Sequence, residues 1–174
     1  MCIALVAPAL AAGRTRTGPV YPWPVGPGPR YRPAAASAAV AAGRPLGPLT
    51  CRRGGRTFAV HVELFAERRV VVVPKGIGNG PSCRYPVATE EPTGVLRVRR
   101  GRPYTLGDLF RVWGRRLGPR ALLSFRGRVA VFVGGRLVHG DPRRVPLRRH
   151  AEIVVELGAR LAPHSTYLFP KGHG

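Results

Sequence analysis

The sequence predicts an α+β domain in which a small mixed β-sheet grips one amphipathic helix, in the manner of a β-grasp (ubiquitin-like) fold, behind a disordered N-terminal tail. Three observations predict it. Short runs rich in β-branched and aromatic residues recur between Thr57 and Leu157. A single segment, Tyr104–Gly118, carries a clear helical stripe. The composition changes near Cys51, from Pro, Gly and Ala to a mixture that can build a core.

Residues 1–13, MCIALVAPALAAG, resemble the apolar core and small-residue end of a secretory signal, with Ala9-Leu10-Ala11 as an A-x-A cleavage site. A basic segment ahead of the apolar core is missing, so the true start is expected upstream of Met1. Residues 14–49 read as a Pro/Gly/Ala-rich linker, extended over 18–33 because closely spaced prolines block helix. The folded domain is expected over 50–171. Thr57–Phe65 reads as a strand, Ala66-Glu67-Arg68 as a tight turn and Arg69–Val73 as the returning strand of a hairpin. Residues 75–86, KGIGNGPSCRYP, are irregular because their Gly and Pro forbid regular structure. Gly94–Arg99 alternates apolar and basic residues, which predicts a half-buried strand with its arginines in water.

In the helical segment Thr105 is a natural N-cap and Asp108 sits in the first turn. Leu106, Leu109, Phe110 and Trp113 fall at i, i+3, i+4 and i+7 and make the buried stripe. Gly114 or Gly118 ends the helix. Ala121–Phe125, Val129–Val133 and Arg136–Val138 read as strands, with Gly134-Gly135 as the turn between the last two. Ile153–Leu157 is the final strand, and the tail after it is expected to pack back on the domain through Tyr167, Leu168 and Phe169.

The 174 residues carry 29 Lys+Arg against 8 Asp+Glu, a net charge of +21. Lys75 and Lys171 are the only lysines, in a chain also rich in Ala, Gly and Pro. Residues 1–56 hold 8 of the basic residues and none of the acidic ones. Residues 57–174 hold the other 21 and all 8 acids, a charge of +13, so the charge is not confined to one arm. Such a surface attracts anionic polymers, lipid surfaces and nucleic acid through long-range electrostatics. The helix pair Arg111/Arg115 with Arg116, and the cluster Arg143/Arg144/Arg148/Arg149, are the candidate contacts. Aromatics make up only 7% of the chain, which argues against stacking-based nucleic-acid recognition. No apolar run is long enough to span a bilayer as a helix.

Cys51 and Cys83 flank the first hairpin and are a disulfide candidate in an oxidising compartment, with two buried thiols as the alternative. Cys2 would leave with the signal. His61-Val62-Glu63 matches half of the zinc deaminase signature, but Cys83 has no second cysteine at i+3, which leaves zinc too few ligands for that site. Gly76-Ile77-Gly78-Asn79-Gly80 is not followed by a helix, so it reads as a turn rather than a phosphate loop. No catalytic constellation and no cofactor motif emerges.

Several strings together resemble a family of exported bacterial proteins of unassigned function: PKGIG, Cys83-Arg84-Tyr85, EPTGVLRV, YTLGDLFRVWG and VAVFVGGRLVHGDPRRVPLRRHAEIVVELG. The resemblance covers about residues 49–171. Its pattern carries histidines in an H-x-H-x-H-L strand, in C-x-Y-x-L-H-T-H and in G-V-I-H-I-E, a set suited to binding a metal on one sheet face. Here those positions hold Ala59, His61 and Glu63, then Ala88 and Glu90, then Arg97. The resemblance therefore implies a degenerate polar or metal site made of His61, Glu63, Glu90 and Arg97, with Arg97 paired to a carboxylate.

These readings favour a non-enzymatic, exported or envelope-associated basic domain with a binding or structural role at anionic surfaces. Two alternatives stand beside it: an intracellular (cytoplasmic) nucleic-acid binder, and a metal-binding protein using the degenerate His/Glu site.

Overall fold

The structure, a computed structural model, describes residues 29–35, 37–158 and 163–169. The signal-like segment 1–13, Cys2 and the proline-rich run to residue 28 lie outside the described residues. In chain order the elements are β1 (Arg30–Tyr31), α1 (Ala38–Ala41), β2 (Thr57–Ala66), β3 (Arg69–Val71), β4 (Val87–Thr89), β5 (Val95–Arg99), α2 (Leu106–Trp113), β6 (Leu117–Gly118), β7 (Ala121–Leu122), β8 (Phe125–Arg126), β9 (Val129–Val133), β10 (Arg136–Val138), a 3-10 turn (Pro142–Arg144) and β11 (Glu152–Leu157).

The fold is mainly β, which corrects the expected α+β, β-grasp (ubiquitin-like) domain. In place of one small sheet around a helix there are an eight-stranded mixed sheet and a separate three-stranded sheet, β6-β7-β8. The physical cause is the length of β2. Its ten residues let one edge take two partners, β5 along Thr57–His61 and β3 along Leu64–Ala66. The sheet therefore branches, and β4 extends the branch through β5. The three-stranded sheet arises because Leu123 adopts a left-handed φ of 53°. That turn splits the expected strand Ala121–Phe125 into β7 and β8.

The other edge of β2 pairs with β11 in parallel, from Glu152 opposite His61 to Leu157 opposite Ala66. Beyond β11 come β9 and then β10, each antiparallel to its neighbour. Alternation along the central pair makes two different faces. Val60, Val62, Leu64, Ile153, Val155 and Leu157 face the main core, where they meet the α2 stripe of Leu106, Leu109, Phe110 and Trp113. His61, Glu63, Glu152, Val154 and Glu156 lie on the opposite face, and they too are buried.

The helix forms where its local signals place it. Thr105 and Asp108 make a reciprocal capping box, and Gly114 ends the helix in the left-handed conformation at φ 69°. A Cβ there would come within 2.8 Å of Ser37 Cβ, so close packing also calls for glycine. The described part of the expected linker, from residue 29, is packed on the domain. Tyr31 pairs with Val71, Val40 and Leu49 are fully buried, and Trp113 Nε1 donates to Ala34 O at 2.8 Å. A few apolar side chains and backbone groups are enough to dock this stretch, whatever its composition.

Candidate metal centre

The second face of the central strands gathers three chemistry-bearing side chains. Successive odd positions on β2 present His61 and Glu63, and the parallel register sets Glu152 of β11 directly beside His61. One ligand-capable atom from each lies within 4.8 Å of the others, and all three residues are buried. A cavity of about 10 Å³ touches His61, Glu63, Thr93 and Gly94, room for about one water-sized occupant.

The imidazole is oriented from behind. His61 Nε2 lies 2.9 Å from the Thr93 carbonyl oxygen. A carbonyl only accepts, so Nε2 carries the hydrogen. The approach depends on Gly94, whose φ is 80° and whose Cβ would fall 2.4 Å from Val62 O and 3.1 Å from His61 Nε2. With Nε2–H committed, His61 Nδ1 points at Glu152 Oε2, 2.6 Å away. A neutral imidazole would there set a lone pair against a carboxylate oxygen. At this separation a hydrogen lies between them, and a metal ion could take its place only with the two atoms moved apart.

The carboxylates are only partly satisfied. Glu63 Oε2 accepts from His164 Nδ1 at 2.7 Å, while Glu63 Oε1 and Glu152 Oε1 are buried without a hydrogen-bond partner among the described residues. Burial pushes the Glu63 carboxyl above its ordinary value of 4.5. The His164 bond opposes the shift, the Glu152 charge adds to it, and the charges of His61 and His164 oppose it.

The segment 163–169 covers this face. Tyr167 stacks on the His61 ring with centroids 3.7 Å apart, and Phe169 meets both Tyr167 and His150. Tyr167 and Phe169 pack with Ala59 and Val95, as the apolar tail residues predict. Leu168 instead points outward and is exposed. Burial, then the charges of Glu152, Glu91 and Glu63, raise the Tyr167 hydroxyl above its ordinary 10.0, so it stays neutral beside the cluster.

The expected site residues divide. His61 and Glu63 are in the cluster, but Glu90 and Arg97 are not. Arg97 pairs across the strands with both Ala59 and Ala88, so the positions singled out by the resemblance do lie side by side. Arg97 Nε donates to Glu90 Oε2 at 3.1 Å and Arg84 Nη1 to Glu90 Oε1 at 2.8 Å, which holds Glu90 at the surface. Partial burial acts to raise the Glu90 carboxyl. The hydrogen bonds and charges of Arg97 and Arg84 outweigh it and bring the net below 4.5. Arg97 is mostly covered rather than in water, its side chain 17% exposed and paired with Glu90.

Cys51 and Cys83 form a disulfide, with Cα atoms 5.3 Å apart. Arg111, Arg116, Arg143, Arg144, Arg148 and Arg149 are exposed. Arg115 donates to Ala34 O at 3.2 Å, and its Nε is buried without a partner, so it belongs to the packing of residues 29–49. Arg143 is taken up by Asp141, whose carboxyl its hydrogen bonds hold down to about 2.

Sequence reasoning missed Glu152 and His164. The signal for Glu152 was present: Glu152 and Glu156 interrupt an otherwise apolar strand at i and i+4, which puts both acids on one face. What the sequence does not carry is the parallel pairing that brings that face to His61. A scan against protein families and searches of curated proteins and of solved structures find no match for this chain.

Proposed function

We propose that this protein is a binding domain for a divalent metal ion, held by His61 Nδ1 with carboxylate oxygens of Glu63 and Glu152. The observation that carries the reading is the convergence of one ligand-capable atom each from His61, Glu63 and Glu152 within 4.8 Å, with His61 Nε2 committed to Thr93 O so that Nδ1 faces the carboxylates. An imidazole whose far nitrogen donates to a backbone carbonyl is a ligand fixed in tautomer and direction. The unpartnered Oε1 atoms of both glutamates supply further lone pairs. Two carboxylates and neutral imidazoles carry a charge of −2, which a divalent cation cancels. The mixed N/O set suits zinc or a neighbouring first-row ion. His164, half-buried at the rim, can complete the coordination. Ligands at about 2 Å from zinc stand about 3.3 Å apart in a tetrahedron, so binding would widen the 2.6 Å His61 Nδ1–Glu152 Oε2 pair and set Glu63 at the same spacing. A signal-like segment and the disulfide support an exported setting for this domain.

Equilibrium dialysis against zinc tests it, with a thermal melt as second readout. Zinc at about 100 times its Kd adds roughly 2.7 kcal/mol to stability, or about 5–10 °C in Tm for a chain of this size. Glu152→Gln keeps the shape, and the expected result is loss of both zinc retention and the Tm gain. Stoichiometric zinc binding that Glu152→Gln and His61→Gln leave intact would place the metal elsewhere. No binding of zinc, copper, nickel or manganese by the folded wild type would leave the cluster as a proton-sharing network and end the proposal.

A further inference from the structure

A different region carries a second site, independent of the metal centre. Where the stretch before β2 meets the loop before β4 there is a cleft of about 470 Å³. Its walls include Arg52, Arg53, Arg84 and Arg99, with Asn79 and Ser82 at the rim, and no carboxylate lines it. In a chain with eight acids, four arginines lining one concave surface, one of them (Arg84) also paired with Glu90, make a concentrated positive site rather than an average patch of surface.

The walls are fixed. The Cys51–Cys83 disulfide joins them. Beside it Arg52 N donates to Arg84 O at 3.1 Å and Arg84 N to Arg52 O at 3.0 Å. Arg99 lies across this bridge and donates from Nη2 to both carbonyls, Arg52 O at 3.1 Å and Arg84 O at 2.7 Å. Glycine makes room for these ties. A Cβ on Gly80 would stand 2.9 Å from Cys51 Sγ, and one on Gly55 3.2 Å from Arg99 Nε. Arg53 reaches over the rim from Nε to Ser82 O at 3.0 Å. Arg52 uses Nε on Thr50 Oγ1, and Arg84 uses Nη1 on Glu90. Each of these guanidiniums is thus aimed by one nitrogen, while its other N–H groups have no partner among the described residues.

Planar forks with free N–H pairs, held in place before a ligand arrives, fit the tetrahedral oxygens of phosphate. We infer that this cleft binds a phosphate-bearing anion about the size of a diphosphate or a sugar phosphate, and that the Cys51–Cys83 disulfide holds it in its binding shape. The phosphate can come from a soluble molecule or from a lipid headgroup, and the guanidiniums meet the same oxygens in either case.

The probe is inorganic pyrophosphate, titrated calorimetrically into the full chain at about 50 mM salt, where screening is weak. The double variant Arg52→Gln/Arg84→Gln is compared with Arg144→Gln/Arg148→Gln, which removes the same charge from another surface. The expected result is a loss of at least tenfold in the first and less than twofold in the second. An equal loss in both assigns the binding to diffuse charge and overturns the site, as does no binding to the wild type. Arg52→Gln alone, at an exposed position, serves if the double variant does not fold. Cys51→Ser/Cys83→Ser is expected to weaken pyrophosphate several-fold while the circular dichroism stays native; unchanged affinity removes the disulfide from the proposal. Phosphatidylglycerol vesicles then separate the sources. Sedimentation with vesicles that pyrophosphate competes away points to a headgroup. Pyrophosphate binding without sedimentation points to a soluble anion. A duplex DNA fragment that binds equally to both Arg double variants is the signature of non-specific charge.

Discussion

Glu90 and Glu152 show how one kind of side chain takes two roles according to what faces it. Glu152 is sealed against an imidazole, whereas Glu90 sits at the surface between Arg84 and Arg97. The folded-state value of Glu90 lies below the ordinary 4.5. Its contribution to stability is therefore complete above about pH 5 and is lost as pH falls through 4.5 and below. Glu90→Gln is expected to flatten the dependence of stability on pH between about 5 and 3, read from urea denaturation at a series of pH values. A slope equal to that of the wild type would mean that the ion pair is fully screened. At this scale much was legible. His61 and Glu63 stood out in the sequence, and so did the pairing of Arg97 with a carboxylate. Glu152 showed only as one of two acids on one face of an apolar strand, and what that face meets depends on the parallel pairing with β2, which the sequence does not carry.

The hairpin of β2 and β3 turns on Glu67 and Arg68, with left-handed φ values of 48° and 64°. A two-residue connection of that hand matches strand twist, but it favours Asn and Gly. Residues with a Cβ are held there because the flanking strands and the bond from Glu67 N to Leu157 O fix the path. Glu67→Asn/Arg68→Gly is expected to stabilise the fold by about 1 kcal/mol, a rise of about 2–4 °C in Tm. An unchanged or lower Tm would show that the Glu67 or Arg68 side chain makes up for the strain. Elements with local causes were readable in the sequence: this hairpin, the Thr105–Asp108 cap, the α2 stripe and the Gly134-Gly135 turn. The split of β7 from β8 was not, since Leu123 is an unusual residue for a left-handed turn and gives no Gly or Asn signal. Nor was the docking of residues 29–49, where the burial of Val40 and Leu49 depends on what lies opposite them.

Across the whole molecule, the central sheet separates two kinds of interior. One face meets α2 with aliphatic and aromatic side chains, while the other encloses titratable groups beneath residues 163–169. Charge is distributed differently. Three of the eight acids, Glu63, Glu152 and Glu156, are buried on the central strands, while most described arginines lie outside, around the disulfide-tied cleft and on distant patches. That disulfide closes a loop with a sequence separation of 32, which in the chain-entropy model is worth about 3–4 kcal/mol. Cys51→Ser/Cys83→Ser is expected to lower the urea midpoint accordingly, and reduction of the wild type should reproduce the shift. A loss below about 1 kcal/mol would mean that the backbone bridge between Arg52 and Arg84 already restrains the loop. The expected small sheet around a helix failed at this scale because strand length and branching are set by long-range pairing. Local pattern reports only that strands exist.

The parallel pairing of β2 with β11 also sets an order of events. His61 and Glu152 are 91 residues apart in the chain, with β3, β4, β5, α2, the three-stranded sheet, β9 and β10 in between. Contacts that close so large a loop form late and slowly. During synthesis β2 emerges long before its partner strand, with an unpaired edge and an imidazole open to solvent. On the metal reading proposed above, capture of a cation would be the closing step of folding, because a metal delivered earlier would meet only His61 and Glu63. The timing of assembly, as much as the identity of the ligands, would then govern which ion is retained.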